Sequence, residues 1–195
     1  MLVGCSTSEE DRYYQERMSS FAYEQNTYIL LEKQDESAAD IAISANNDYA
    51  LVSISYKDKQ VDQYYEDTKE YVYLKGFADE DLYYYVPTEV VFADPMDIFN
   101  RMVFDPSDIS NIKVVETITE DGKELIHLQG KISSQDTHFY LNKDDETINK
   151  VVFRDGSTLI FKRQELVLPE GFADAKQADA ELINQYMEQI SVKEN

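Results

Sequence analysis

Ile148-Asn149-Lys150-Val151-Val152-Phe153-Arg154-Asp155-Gly156-Ser157-Thr158-Leu159-Ile160-Phe161-Lys162 reads as two strands joined by a tight turn. Aspartate and glycine tolerate the positive φ that a two-residue hairpin loop demands, and both flanks are rich in β-branched and aromatic residues. The same period of two extends outward. Upstream, residues 112–119 turn through Glu120-Asp121-Gly122 and return with Ile126, Leu128, Gly130 and Ile132 on one face, followed by a run over 137–143. Earlier still, Phe21, Tyr23, Ile29 and Leu31 share one parity, as do Ile41, Ile43 and Ala45, and then Ala50, Val52, Ile54 and Tyr56. Further runs fall at 61–65, 70–75 and 82–86. Hairpin-length links leave no room for parallel crossovers, so about ten or eleven strands form a predominantly antiparallel meander.

Three helices punctuate it. Residues 9–19 put Tyr13, Tyr14 and Met18 close to one face. Asp94-Pro95-Met96-Asp97 supplies an N-cap, a proline at the first helical position and an acid in the first turn, with Ile98, Phe99, Met102 and Val103 following at helical spacing. After Leu168-Pro169-Glu170-Gly171-Phe172 closes the sheet, residues 176–190 carry Leu182, Ile183, Tyr186, Met187 and Ile190 on one stripe.

Composition narrows the function. The 195 residues include 39 acids and 18 basic side chains, a formal charge of −21 that repels a phosphate backbone and excludes a nucleic-acid partner. One cysteine and two histidines cannot assemble the usual structural zinc sites. No cofactor is expected, since six glycines contain no phosphate-binding loop. No apolar run approaches the roughly 18–20 residues that span a bilayer. The 15 tyrosines are the outlier. Tyr71 and Tyr73 oppose Val72 and Leu74, and Tyr83 and Tyr85 oppose Leu82 and Tyr84, so both faces of the sheet want partial cover. A long curved sheet with helices over one face meets that need, with tyrosines at the rim keeping their hydroxyls wet.

The only cysteine lies in Met1-Leu2-Val3-Gly4-Cys5-Ser6-Thr7-Ser8, which resembles a bacterial lipobox. In that family of signals the thiol receives a diacylglyceryl group and becomes the first residue after cleavage, so Cys5 is the expected lipidation site and the protein's membrane anchor. The charged and apolar segments that precede such a box do not precede Leu2 here, so lipidation is an expectation about the full gene product. Two buried acyl chains suffice for stable anchoring. A body of −21 is repelled by anionic headgroups, which leaves the lipid to hold it and favours a monomer.

A lipobox, a short helix, tyrosine-rich hairpins, a mid-chain helix, the Asp155-Gly156 turn and Leu168-Pro169-Glu170-Gly171 together resemble the LolA/LolB/LppX-like superfamily of bacterial lipoproteins. The resemblance implies an α+β fold, mainly antiparallel β. It is a curved incomplete barrel (half-barrel) of about 10–11 strands with about three short helices, forming one domain over 9–195 after a tether at 1–8. It also implies a non-enzymatic, extracytoplasmic lipoprotein that binds a lipid or acyl chain. The expected ligand-lining residues are Ile54, Leu74, Phe99, Met102, Leu128 and Phe139. The alternative is a filled groove, with a surface of Tyr64, Tyr65, Tyr71, Tyr73, Tyr83, Tyr84 and Tyr85 meeting a protein or glycan.

Catalysis finds little support. His127 and His138 each sit on the strand face opposite apolar neighbours and read as solvated strand histidines. No Gly-x-Ser-x-Gly elbow occurs. The acidic groups Asp79-Glu80-Asp81 and Asp144-Asp145-Glu146 lack EF-hand spacing and read as solvated turns, so no metal ligand is assigned.

Overall fold

The computed structural model describes residues 8–23, 27–32, 40–46, 48–57, 59–66, 69–77, 82–89, 103–163 and 167–191. In chain order its elements begin with α1 (Glu9–Ser19), β1 (Thr27–Glu32), β2 (Asp40–Ala45), β3 (Tyr49–Tyr56), β4 (Lys59–Glu66), β5 (Lys69–Lys75) and β6 (Tyr83–Glu89). A 3-10 turn (Pro106–Asp108) then precedes β7 (Ile109–Glu120), β8 (Lys123–Ile132), β9 (Gln135–Asn142), β10 (Ile148–Phe153), β11 (Thr158–Arg163), β12 (Lys176–Gln177) and α2 (Ala180–Ser191). These form two compact units, one from residues 1–24 and 100–162, the other from 25–99 and 163–195.

The first unit is an antiparallel sheet in the order β11-β10-β9-β8-β7. Its hairpins follow from turn chemistry. Asp121 and Gly122 have φ of 49° and 78° between the paired Glu120 and Lys123, the two-positive-φ loop that matches strand twist. At the Asp155-Gly156 turn, Gly156 has φ 88°, and the Phe153 N–H donates to the Ser157 carbonyl at 2.9 Å.

Helix α1 begins at a reciprocal cap. The Ser8 hydroxyl accepts from the Asp11 N–H at 2.9 Å while Asp11 accepts from the Ser8 N–H at 3.3 Å. Strand β7 carries register shifts at Ser110/Lys113 and Val114/Glu116, which leave backbone groups without ladder partners. Helix α1 satisfies them. Asp11 accepts from the Val114 N–H at 2.8 Å, and Gln15 donates to the Ile109 carbonyl and accepts from the Ile112 N–H, both at 3.0 Å. The Val114 N–H, followed by Ser8, holds the Asp11 carboxyl below its ordinary range. Glu146 clasps the other side, accepting from Tyr13 at 2.8 Å and Tyr14 at 3.3 Å and pairing with Arg17 at 3.0 Å. One member of an expected solvated turn is thus a clasp on the helix. Beneath α1, Tyr14 and Met18 are buried, as are Leu128, Phe139 and Val151 in the sheet.

Gly130 admits no side chain. A Cβ there would lie 2.5 Å from Ile112 Cδ1 and 3.1 Å from the Ser110 carbonyl oxygen. Gly130→Ala is therefore expected to cost about 1–3 kcal/mol by overpacking, read as a lower urea midpoint with an unchanged slope.

The second unit runs β12-β6-β5-β4-β3-β2-β1. Alternation divides it into two faces. Ile41, Ile54, Val61 and Leu74 form one cross-strand row, and the adjoining Val72 and Leu74 pack with Ala178 and Leu182 of the C-terminal segment. The opposite face carries Tyr64, Tyr71, Tyr73, Tyr83 and Leu51 under Phe172, Leu168 and Ala175.

Three sequence expectations change. Among the described residues there are twelve strands rather than ten or eleven, because Lys176 and Gln177 add a short β12. That strand pairs parallel with Tyr84 and Tyr85 of β6, while β1 to β6 pair antiparallel, in keeping with the mainly antiparallel expectation. The last helix consequently starts at Ala180 rather than 176, where the Asp179 carboxylate accepts from the Leu182 N–H at 2.9 Å. Phe21 and Tyr23 are not in a strand, because Tyr23 turns inward and donates its hydroxyl to the Phe104 carbonyl. The described residues hold two α-helices. The expected helix carrying Asp94, Pro95, Ile98, Phe99 and Met102 lies outside them. No helix among the described residues is long and apolar enough to cross a membrane.

Candidate functional site

The expected ligand-lining residues separate into pairs. Leu128 and Phe139 face each other across β8 and β9 in the first unit, with no exposed surface. Ile54 is half-buried on β3 in the second unit, in the same cross-strand row as Leu74, which is fully buried near Leu182. Phe99, Met102 and Cys5 lie outside the described residues.

An open space occurs elsewhere on the apolar face of the first unit. A cavity of about 700 Å³ is lined by Phe21, Ala22, Tyr23, Val103, Phe104, Pro106, Ile132 and Phe153, with Asp105, Asp108 and Ser133 on its polar side. Ile132 shares a strand face with Leu128, and Phe153 shares one with Val151, which pairs with Phe139. The cavity therefore continues the face on which Leu128 and Phe139 sit.

Tyr23 anchors this wall. Its hydroxyl donates to the Phe104 carbonyl at 3.0 Å, its ring lies parallel to Phe161 at 6.3 Å, and Phe21 and Phe104 meet it edge-on at 5.1 and 5.8 Å. Burial pushes the phenol far above its ordinary pKa, so Tyr23 contributes a neutral ring. Asp105 caps the 3-10 turn by accepting from the Ser107 N–H at 2.8 Å, and bonds from Ser107 hold its carboxyl below the ordinary range. Asp108 accepts from the Ser133 hydroxyl at 2.9 Å. The result is a pocket of mixed lining, with four aromatic rings among its apolar residues and a hydroxyl and two carboxylates beside them, chemistry that can receive an apolar chain with a polar end.

Sequence reasoning missed these residues because it placed Phe21 and Tyr23 in a strand. The available signal was Phe21-Ala22-Tyr23 directly after the helix-ending Ser19-Ser20.

The second unit has a different cavity, of about 500 Å³, lined by Tyr28, Leu30, Asp40, Ala42, Ser44, Leu51, Ser53, Ser55, Val167 and Pro169. Three serines and Asp40 stand among its lining residues. Nearby Asp62 has no exposed surface, and burial pushes its carboxyl up against the pull of Ser53, Gln60 and Tyr83. Gln60 Nε2 lies 3.0 and 2.8 Å from its two oxygens. The tyrosines expected at an exposed docking surface are not exposed: Tyr64, Tyr65 and Tyr83 are buried, and Tyr71, Tyr73, Tyr84 and Tyr85 are half-buried.

No family model matches the sequence, and no curated protein matches it. Solved structures do. Lipoprotein LppX of Mycobacterium tuberculosis is similar at a TM-score of 0.51 and 15% identity, over 83% of this chain and 100% of that one. LprF from Mycobacterium bovis is similar at a TM-score of 0.51 and 9% identity, over 85% of this chain and 98% of that one. The chain has the LppX-like fold that its sequence resembles.

Proposed function

We propose that this protein is an extracytoplasmic lipoprotein, anchored through acylated Cys5, that binds or carries an apolar ligand such as a lipid acyl chain and catalyses no reaction. The aromatic cavity of about 700 Å³ carries this reading. Its volume falls in the usual range for small-ligand sites, and its walls reward an alkyl chain by burying apolar area. In this reading Leu128 and Phe139 form the packed floor beside the pocket. The likeness in fold to LppX and LprF supports the lipid class by analogy of fold alone.

The anchor in this proposal is short. Because Ser8 already caps α1, three residue steps separate it from Cys5, a reach of about 10 Å at most. The folded body then stays beside the membrane, and its charge of −21 opposes adsorption to anionic headgroups.

The test is intact-mass and native mass spectrometry of the full gene product extracted from membranes. A diacylglyceryl-type mass on Cys5 and co-purifying lipid are expected. Folded protein that releases no lipid into organic solvent and takes up no acyl-chain probe overturns the binding claim, and an unmodified Cys5 in the cytosol overturns the anchor.

A further inference from the structure

The two histidines of the chain meet. His127 lies on β8 and His138 on β9, diagonal neighbours on the face opposite Leu128 and Phe139. Nε2 of His127 is 2.9 Å from Nδ1 of His138, with ring centroids 5.1 Å apart and planes tilted by 34°. His127 is braced by parallel stacking on Tyr140 at 4.7 Å, and the Lys150 ammonium sits 4.7 Å from the Tyr140 ring centroid. Glu120 pairs with that ammonium. Both imidazoles are half-buried, so water and ions reach them.

We infer that His127 Nε2 and His138 Nδ1 form a binding site for one divalent transition ion of the copper(II) or nickel(II) kind. Imidazole–metal bonds are about 2.0–2.1 Å long, and two at a right angle place their nitrogens about 2.9 Å apart, whereas a tetrahedral pair needs about 3.4 Å. The observed 2.9 Å is the length of the hydrogen bond between the two rings, so replacing its proton by an ion at right-angled ligands needs little change in nitrogen separation, and tetragonal nitrogen–oxygen sites suit copper(II) and nickel(II). Among the described residues no third ligating side chain converges with the pair, so water completes the coordination. Glu116, paired in register with His127, adds negative charge beside the ion, and Glu120 pairs with the Lys150 ammonium over Tyr140.

The chemistry balances without a redox step. In the empty site one ring donates its N–H to the other. When the ion binds, that ring moves its proton through solvent to its far nitrogen, both rings stay neutral, and each presents a lone pair to the metal. This inference is independent of the pocket, which lies on the opposite face of the sheet.

The test uses the full chain with Cys5→Ser in every arm, so that no thiol competes, titrated with CuCl2 near neutral pH by calorimetry and electron paramagnetic resonance. One copper per chain is expected, with a dissociation constant on the order of micromolar and nitrogen hyperfine splitting from two imidazoles. Copper should bind more tightly than nickel or zinc. His127→Gln and His138→Gln, each checked for native circular dichroism, should weaken uptake at least ten-fold and remove the two-nitrogen signal. Uptake unchanged in either variant, a spectrum with oxygen ligands only, or no uptake at micromolar copper would overturn the site. The carboxylate-rich surface cannot imitate the expected result, because it supplies no nitrogen.

Discussion

Phe172→Ala is expected to lower the stability of the chain by about 3–5 kcal/mol, the range for emptying a buried aromatic site. Phe172 is only 8% exposed and lies parallel to Tyr73 at 3.8 Å, with Tyr83 edge-on at 5.0 Å and Tyr64 at 6.1 Å. Removing the ring withdraws apolar contact from three tyrosines at once, and aromatic pairs contribute about 0.5–1.5 kcal/mol each beyond buried area. The backbone leaves little room to collapse into the gap. Gly171 holds φ at 99°, and even a Cβ at that position would lie 3.2 Å from the Tyr83 ring. Urea unfolding followed by near-ultraviolet dichroism measures the loss, and Phe172→Leu should recover part of it. A loss below about 1 kcal/mol would mean that the tyrosine face does not depend on this cover.

The second large effect concerns binding. Ala22→Trp places an indole at the wall of the aromatic pocket from an exposed, non-helical position, where it should not disturb the sheet. Val103→Trp narrows the same space from another segment. Each is expected to weaken binding of a fluorescent acyl-chain probe at least ten-fold, about 1.4 kcal/mol, with the thermal midpoint nearly unchanged. Uptake equal to the native chain in both folded variants would place the ligand elsewhere. A native chain that never binds the probe would instead remove the proposed function itself.

Legibility differed from one residue to the next. The bounds of α1 could be anticipated because Ser8, Glu9, Glu10 and Asp11 encode a helix start locally. The Asp121-Gly122 and Asp155-Gly156 turns were legible for the same reason, since positive φ is a property of one or two residues. Tyr23 misled because alternation of Phe21 with Tyr23 describes a strand only if a partner strand exists. His127 and His138 are 11 positions apart, and their contact depends on the register between β8 and β9, which no single strand encodes.

By itself the sequence determined what local stereochemistry can decide: where strands alternate, where hairpins turn and where α1 starts. Only the tertiary structure decided which side chains share a space. It gathered Phe21, Tyr23, Phe104, Ile132 and Phe153 around one cavity, laid Phe172 over the tyrosines, paired β12 in parallel with β6, and set two imidazoles within 2.9 Å. Turn and strand preferences arise within a few residues and survive in isolation. Contacts between distant segments depend on register and packing, which form only when the whole apolar pattern is buried together.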